Sequence, residues 1–242
     1  MVQEKSQTST LSHSKNNMVN GVISHVKEVG EVYNTNGFAF YFYGLMKMIK
    51  PKVILELGTG YGATSFFAAQ ACKENGYGKV ITYDDGSNWE EPINYDSYIN
   101  NKIAELNIED HIDFRKEKIN LINLDEKLKS LEEVTVIFND INVQPVYFFS
   151  LFAYLLQRTN RESYLIIDRA ATFWPTYCAL ELTLDKLNYG KIPKFMYQFI
   201  DDIDTFKDRL DKHKYSVQYI RKNTTTDQDS FAVVKIEEYD IQ

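Results

Sequence analysis

The sequence predicts an α/β fold: a three-layer sandwich around a mostly parallel, seven-stranded sheet that ends in an antiparallel β-hairpin. Three observations predict it. Short apolar runs of strand length alternate with longer helical stretches, which is the order of a parallel sheet with crossover helices. One such run, Val53–Leu57, feeds directly into the glycine turn Gly58-Thr-Gly-Tyr-Gly62 and then into a helix. Near the C-terminus two alternating runs, Tyr215–Arg221 and Ser230–Ile236, flank the polar stretch Lys222–Asp229, as a hairpin requires.

Taken in order, residues 1–20 are polar and rich in Ser, Thr, Gln and Asn, and are expected to form a flexible tail. Residues 21–242 are expected to form a single domain with an N-terminal helical cap. Val22, Ile23, Val26 and Val29 recur at helical spacing. Phe38–Ile49 reads as an apolar helix stopped by Pro51. Val53, Ile54, Leu55 and Leu57 read as a strand buried on both faces. Ala63–Cys72 is the first crossover helix, and Lys79–Asp85 begins the second strand. The loop Gly86–Asn94 is long and contains Trp89. Tyr95–Asn107 is the next helix, Ile112–Arg115 the third strand and Leu121–Leu131 a helix. Val134–Asp140 is the fourth strand, Pro145–Leu156 a helix and Tyr164–Arg169 the fifth strand. The aromatic loop Ala170–Tyr177 follows, then the helices Thr176–Leu187 and Phe206–His213.

A chain of 242 residues suffices for one α/β domain with a sizeable core. The net charge of −7 and a pI near 5.2 oppose a nucleic-acid partner, which needs a basic footprint. Cys72 and Cys178 are isolated and suggest neither a disulfide framework nor a zinc site. No run approaches a membrane span, and the N-terminus lacks the apolar core of a signal peptide. The expectation is a soluble cytoplasmic protein with no membrane partner and with a homodimer as the alternative to a monomer. The 17 Tyr and 15 Phe could line a pocket or simply fill the core.

Gly58, Gly60 and Gly62, at alternate positions, let the backbone turn sharply and approach a ligand. A strand, such a turn and a helix N-terminus together suit a nucleotide-like ligand. Gly58, Gly60 and Ala63 also match the Gly-x-Gly-x-x-Gly/Ala fingerprint, so an NAD-binding oxidoreductase is one alternative. Glu56 weighs against it. A carboxylate in the crevice repels a pyrophosphate but suits the cationic amino group of a methionine tail. The pattern Glu-x-Gly-x-Gly-x-Gly over Glu56–Gly62 resembles the first motif of the class I S-adenosylmethionine-dependent methyltransferases of small-molecule type. The resemblance runs from about Gly37 to Glu237 and implies a Rossmann-like fold, S-adenosylmethionine as cofactor and a small-molecule substrate.

The resemblance implies roles along the crevice. Glu56, Gly58 and Gly60, with Thr59 and Tyr61 between the glycines, would hold the methionine part. Asp84, 24 residues past Gly60, can accept both ribose hydroxyls, with Asp85 the alternative. Glu117 would read the adenine. Asp140 would border the methyl-transfer site, both as a cofactor contact and as the catalytic candidate. Tyr33 and Asn34 would lie near the ligand mouth; Arg169, Phe173, Trp174 and Tyr177 would wall the acceptor. Metal-dependent members place acids after strands four and five, followed by Asn. Asp140 and Asp168 match, but Arg169 replaces the Asn and the lysine expected shortly after Asp140 is absent, so no metal is expected. A short-chain dehydrogenase is excluded because Tyr43–Lys47 precedes the glycine loop. Base-modifying amino-methyltransferases are excluded because Asn139-Asp-Ile-Asn lacks their prolines. His13, His25, His111 and His213 form no motif and are expected at the surface. A non-catalytic partner subunit that keeps the fold is the remaining alternative.

Overall fold

The computed structural model describes residues 20–25, 36–87, 94–122, 128, 130–131, 133–158, 161–221 and 230–238. Tyr33, Asn34, Trp89, His13, the tail 1–19 and the hairpin loop 222–229 lie outside the described residues, as does most of the helix expected at 121–131.

Seven strands form one sheet in the order β3-β2-β1-β4-β5-β7-β6. They are β1 Val53–Leu57, β2 Lys79–Asp84, β3 Ile112–Lys116, β4 Val134–Asn139, β5 Ser163–Asp168, β6 His213–Arg221 and β7 Ser230–Glu238. β1 to β5 pair in parallel, while β7 runs antiparallel between β5 and β6. The expected fold is therefore the observed one, and chain order reverses at β1, where β2 lies on one side and β4 on the other. That reversal opens a crevice at the carboxyl ends of the strands.

Successive residues of a strand point to opposite faces, and here both faces are covered. Ile54, Val80, Val136, Phe138 and Ile166 pack under the helices Asn36–Ile49, Ala63–Asn75 and Tyr95–Leu106. Leu55, Leu57, Ile81, Ile137, Leu165 and Ile167 pack under Pro145–Arg158, Trp174–Asn188 and Ile203–Lys212. This two-sided burial explains why the strands read as predominantly apolar runs rather than strict alternations. Residues 20–25 are helical, and Val22 is fully buried in the first of these layers.

Three sequence expectations need correction. The helix after β5 begins at Trp174, inside the stretch expected as loop, with Pro175 in its first turn. Proline is favoured there because that N–H has no intrahelical partner. His25 and His213 are buried, at 3% and 7% exposure. Each ring hydrogen-bonds a backbone carbonyl: His25 Nε2 at Tyr61 O, 2.9 Å, and His213 Nδ1 at Arg209 O, 2.6 Å. The 3-10 helices Glu109–His111 and Lys194–Phe199 were not expected; short pieces of this kind carry no strong periodicity.

Candidate active site

β1 ends at the crevice and hands over to the glycine turn. Gly58 N donates to Tyr83 O at 2.8 Å, and Asp140 N donates to Leu57 O at 2.8 Å, so the turn is tied to both neighbouring strands. Gly58 has φ +102°, and a Cβ there would stand 3.1 Å from the Asp140 carbonyl carbon. Only glycine allows both the backbone conformation and the close approach. Gly62 N donates to Thr59 O at 2.8 Å and closes a four-residue turn, and Gly62, at φ +81°, is the N-cap of Ala63–Asn75. A Cβ on Gly60 would meet nothing within 4 Å, so the turn faces open space there.

Glu56 departs from the sequence expectation. It is fully buried, with its carboxylate beneath the turn rather than in the crevice. Thr64 Oγ1 and Ser65 Oγ donate to its two oxygens, and Thr82 Oγ1 donates to Oε2 at 2.7 Å. The hydroxyls come from the crossover helix and from β2, so the side chain turns inward to meet them. Burial pushes its pKa up to about 7, although the three hydroxyls pull the other way. Thr59 also points inward: it is 3% exposed, with its hydroxyl 2.7 Å from that of Thr82.

Asp84, at the end of β2, reaches across to the turn. Its Oδ2 accepts from Gly60 N at 2.9 Å and its Oδ1 from Gly86 N at 2.7 Å. Asp85 caps its own loop, accepting from Ser87 N at 2.9 Å, and hydrogen bonding from the Ser87 side chain and then from its backbone lowers the pKa of its carboxyl. Glu117 N donates to Asp84 O at 2.9 Å, which sets Glu117 beside the end of β2. Tyr61 is half-buried, its ring edge-on to Tyr98 at 6.0 Å. A cavity of about 500 Å³ opens between the loops after β3 and β4, lined by Lys118–Ile122, Ile141, Asn142 and Tyr147. Sequence reading missed Ile119, Ile141 and Tyr147; their only signal was position just beyond strand ends.

On the other side of the crevice, Asp140 and Asp168 lie at the ends of the adjacent strands β4 and β5. Asp140 is open to solvent at the mouth, yet protein crowds its carboxyl from the other sides. That desolvation, and then the neighbouring Asp168 carboxyl, raise its pKa well above the ordinary range. Asp168 is raised as well, by burial first, while bonds to Asp140 and Arg169 oppose the shift. Arg169 Nε donates to Asp168 Oδ2 at 2.8 Å from a left-handed backbone, φ +57°. Its carbonyl accepts from Phe173 N at 2.8 Å, leading into the next helix. There Trp174 is 70% exposed and stacks on Tyr177, centroids 5.6 Å apart and planes 14° from parallel. Tyr177 packs in turn on Tyr219 and under the Arg221 guanidinium. Phe173 is half-buried at the helix start.

A parallel sheet closed by an antiparallel hairpin, with a glycine turn after β1 and acids at later strand ends, is the architecture of a Rossmann-like methyltransferase. A family model described as a methyltransferase domain matches residues 55–190, more than half of the chain, and the chain belongs to that family. Solved structures share the fold. The O-methyltransferase TomG from Streptomyces achromogenes, involved in tomaymycin synthesis and determined with SAM, is 14% identical over 89% of each chain, TM-score 0.52. An O-methyltransferase from Bacillus cereus with SAH is 13% identical over 89% of this chain and 90% of that one, TM-score 0.53. The SAH-bound methyltransferase PaMTH1 from Podospora anserina is 13% identical over 99% and 98%, TM-score 0.52. No curated protein sequence matches the chain.

Proposed function

We propose that this chain transfers the methyl group of S-adenosylmethionine to an oxygen of a small, flat or hydrophobic acceptor, without a divalent metal. The observation that carries the reading is the convergence, at one sheet edge, of the glycine turn, the Asp84 carboxylate and the Asp140–Asp168 pair. The cofactor-bound O-methyltransferases of the same fold support the choice of cofactor and of an oxygen acceptor.

The residues present fit that cofactor. The space beside Gly60 is open, and each Asp84 oxygen keeps a further lone pair for a ribose hydroxyl. The apolar cavity walled by Ile119, Leu121 and Ile141 suits a purine ring, with Glu117 close by. Gly58, Thr59, Gly60 and Tyr61 contribute through their backbone, and Glu56 acts from below by fixing the turn. When bound, S-adenosylmethionine supplies an electrophilic methyl group. The chain's own share is to align the two reactants, exclude water and take the acceptor's proton. Asp140, at the crevice end of β4, is the group placed to receive it. Arg169 orients Asp168 and stands beside the acceptor, while Phe173, Trp174 and Tyr177 form its wall, with Tyr33 as a further candidate.

A divalent cation does not fit the carboxyl pair. The Arg169 guanidinium pairs with Asp168 at 2.8 Å, and Arg169 stands where the metal-dependent pattern has an Asn. The acidic charge and the lack, among the described residues, of a helix able to cross a membrane support a cytoplasmic enzyme without a nucleic-acid partner.

S-adenosylhomocysteine should raise the melting temperature while NAD should not, because a ligand that binds only the native state stabilises it by an amount that grows with the logarithm of its concentration over Kd. A shift with NAD alone would sink the reading.

A further inference from the structure

Two side chains from outside the glycine motif hold its centre, and neither belongs to the sequence pattern. The Tyr95 hydroxyl donates to Gly60 O at 3.0 Å, and His25 Nε2 meets Tyr61 O at 2.9 Å. Tyr95 is 4% exposed at the start of the helix Tyr95–Leu106. Its ring stands edge-on to Phe114 at 5.4 Å, and a Cβ on Gly86 would lie 2.8 Å from it. It therefore touches both ligand-facing loops: Gly60 after β1 through its hydroxyl, and Gly86 after β2 through its ring. Those two residues are also the ones whose N–H groups grip the Asp84 carboxylate. His25 is 3% exposed and packs on Phe66, ring centroids 5.1 Å apart, so the segment 20–25 is seated over the first turn of the crossover helix.

A peptide unit is planar, and its N–H points opposite to its C=O. Fixing the carbonyl of Gly60 therefore fixes the direction of the Tyr61 N–H, and fixing that of Tyr61 fixes the Gly62 N–H. We propose that Tyr95 and His25 are positioning residues for the cofactor, setting the orientation of the Gly60–Gly62 peptide groups and the Asp84 carboxylate and coupling the N-terminal segment to cofactor binding. This rests on the proposed use of S-adenosylmethionine. Binding should be reciprocal: if the segment strengthens cofactor binding, the cofactor must stabilise the segment. Burial and the nearby Asp84 charge push the Tyr95 phenol far above its ordinary pKa, so it stays a donor.

The test is calorimetric titration of the full-length protein with S-adenosylhomocysteine, alongside amide hydrogen exchange. Tyr95→Phe, which keeps the ring and loses only the hydroxyl, should weaken binding about tenfold with a small change in melting temperature. His25→Ala should weaken it similarly, and His25→Gln, which keeps an N–H donor, should recover most of the loss. In the wild type, S-adenosylhomocysteine should slow exchange in residues 20–25, and in His25→Ala that protection should vanish. Wild-type affinity in both Tyr95→Phe and His25→Ala, with binding by the wild type intact, would overturn the proposal while leaving the methyltransferase reading standing. Failure of the wild type to bind S-adenosylhomocysteine would overturn both.

Discussion

On the β1–β3 side of the crevice nearly every group near the ligand is spoken for. Asp84 receives two backbone N–H groups, Glu56 receives three hydroxyls, and the turn carbonyls meet Tyr95 and His25. On the β4–β5 side the groups are fewer and looser. Asp140 is open to solvent, Arg169 is 40% exposed at its side chain and Trp174 is 70% exposed. The first half is organised before any ligand arrives, which lowers the ordering cost of binding a molecule that never changes. On the proposed function, the second leaves aromatic surface and the Asp140 and Asp168 carboxyls to the acceptor. A tightly bonded half and an open half on one sheet edge suit the proposed division between cofactor and acceptor.

Glu56 offers the largest expected effect. Its folded pKa, about 7, lies above its ordinary value of 4.5, so the folded state binds the proton more tightly. The stability this contributes is complete below pH 4.5 and is lost as pH rises through about 7, to the extent of about 3 kcal/mol. Glu56→Gln should remove that dependence, so its stability curve should fall less than the wild type's between pH 5 and 8. Parallel denaturation curves across this range would show that the carboxyl is not held as described.

Asp84→Ala comes next. Cofactor affinity should fall by roughly 1.5–3 kcal/mol, the scale for hydrogen bonds to a charged group. The melting temperature should fall slightly too, since Gly60 N and Gly86 N lose their acceptor. Calorimetry with S-adenosylhomocysteine reads the first effect; unchanged affinity would pass the ribose role to Asp85.

On the open half the effects on stability shrink. Trp174→Ala should change stability by no more than about 0.5 kcal/mol, because the indole is mostly exposed. Catalytic efficiency should nonetheless drop while cofactor affinity holds. A fully active variant would move the acceptor elsewhere, with the stretch around Trp89 the next candidate. The smallest expected effect is none: turnover should be the same in excess chelator, and loss restored by magnesium would make Asp140 and Asp168 metal ligands despite Arg169.

The parts legible in the sequence were those written in local pattern. Two-sided burial makes β1, β2, β4 and β5 predominantly apolar runs, and a turn with three glycines can serve few purposes. The strand-end acids followed from the strands. Glu56 was misplaced because its orientation depends on hydroxyls from Thr64, Ser65 and Thr82, brought together only by the fold. His25 and Tyr95 were silent for the same reason: their targets are backbone carbonyls 36 and 35 residues away, and any sequence offers such carbonyls. Pro175 was a readable signal for a helix starting at Trp174, outweighed by the aromatic cluster around it.

The loop after β4 and the helix after β5 are fastened together. The Thr176 hydroxyl donates to the Val143 carbonyl, and Asn139 Nδ2 closes its own loop on Asn142 O at 2.6 Å. For protein engineering this makes residues 139–143 and 169–177 one transplantable cassette. Exchanging both together with those of a relative should keep this junction, and cofactor affinity should shift with the exchange because Ile141 and Asn142 line the cavity proposed for the purine, whereas grafting the helix start alone would strand Thr176 opposite a foreign loop.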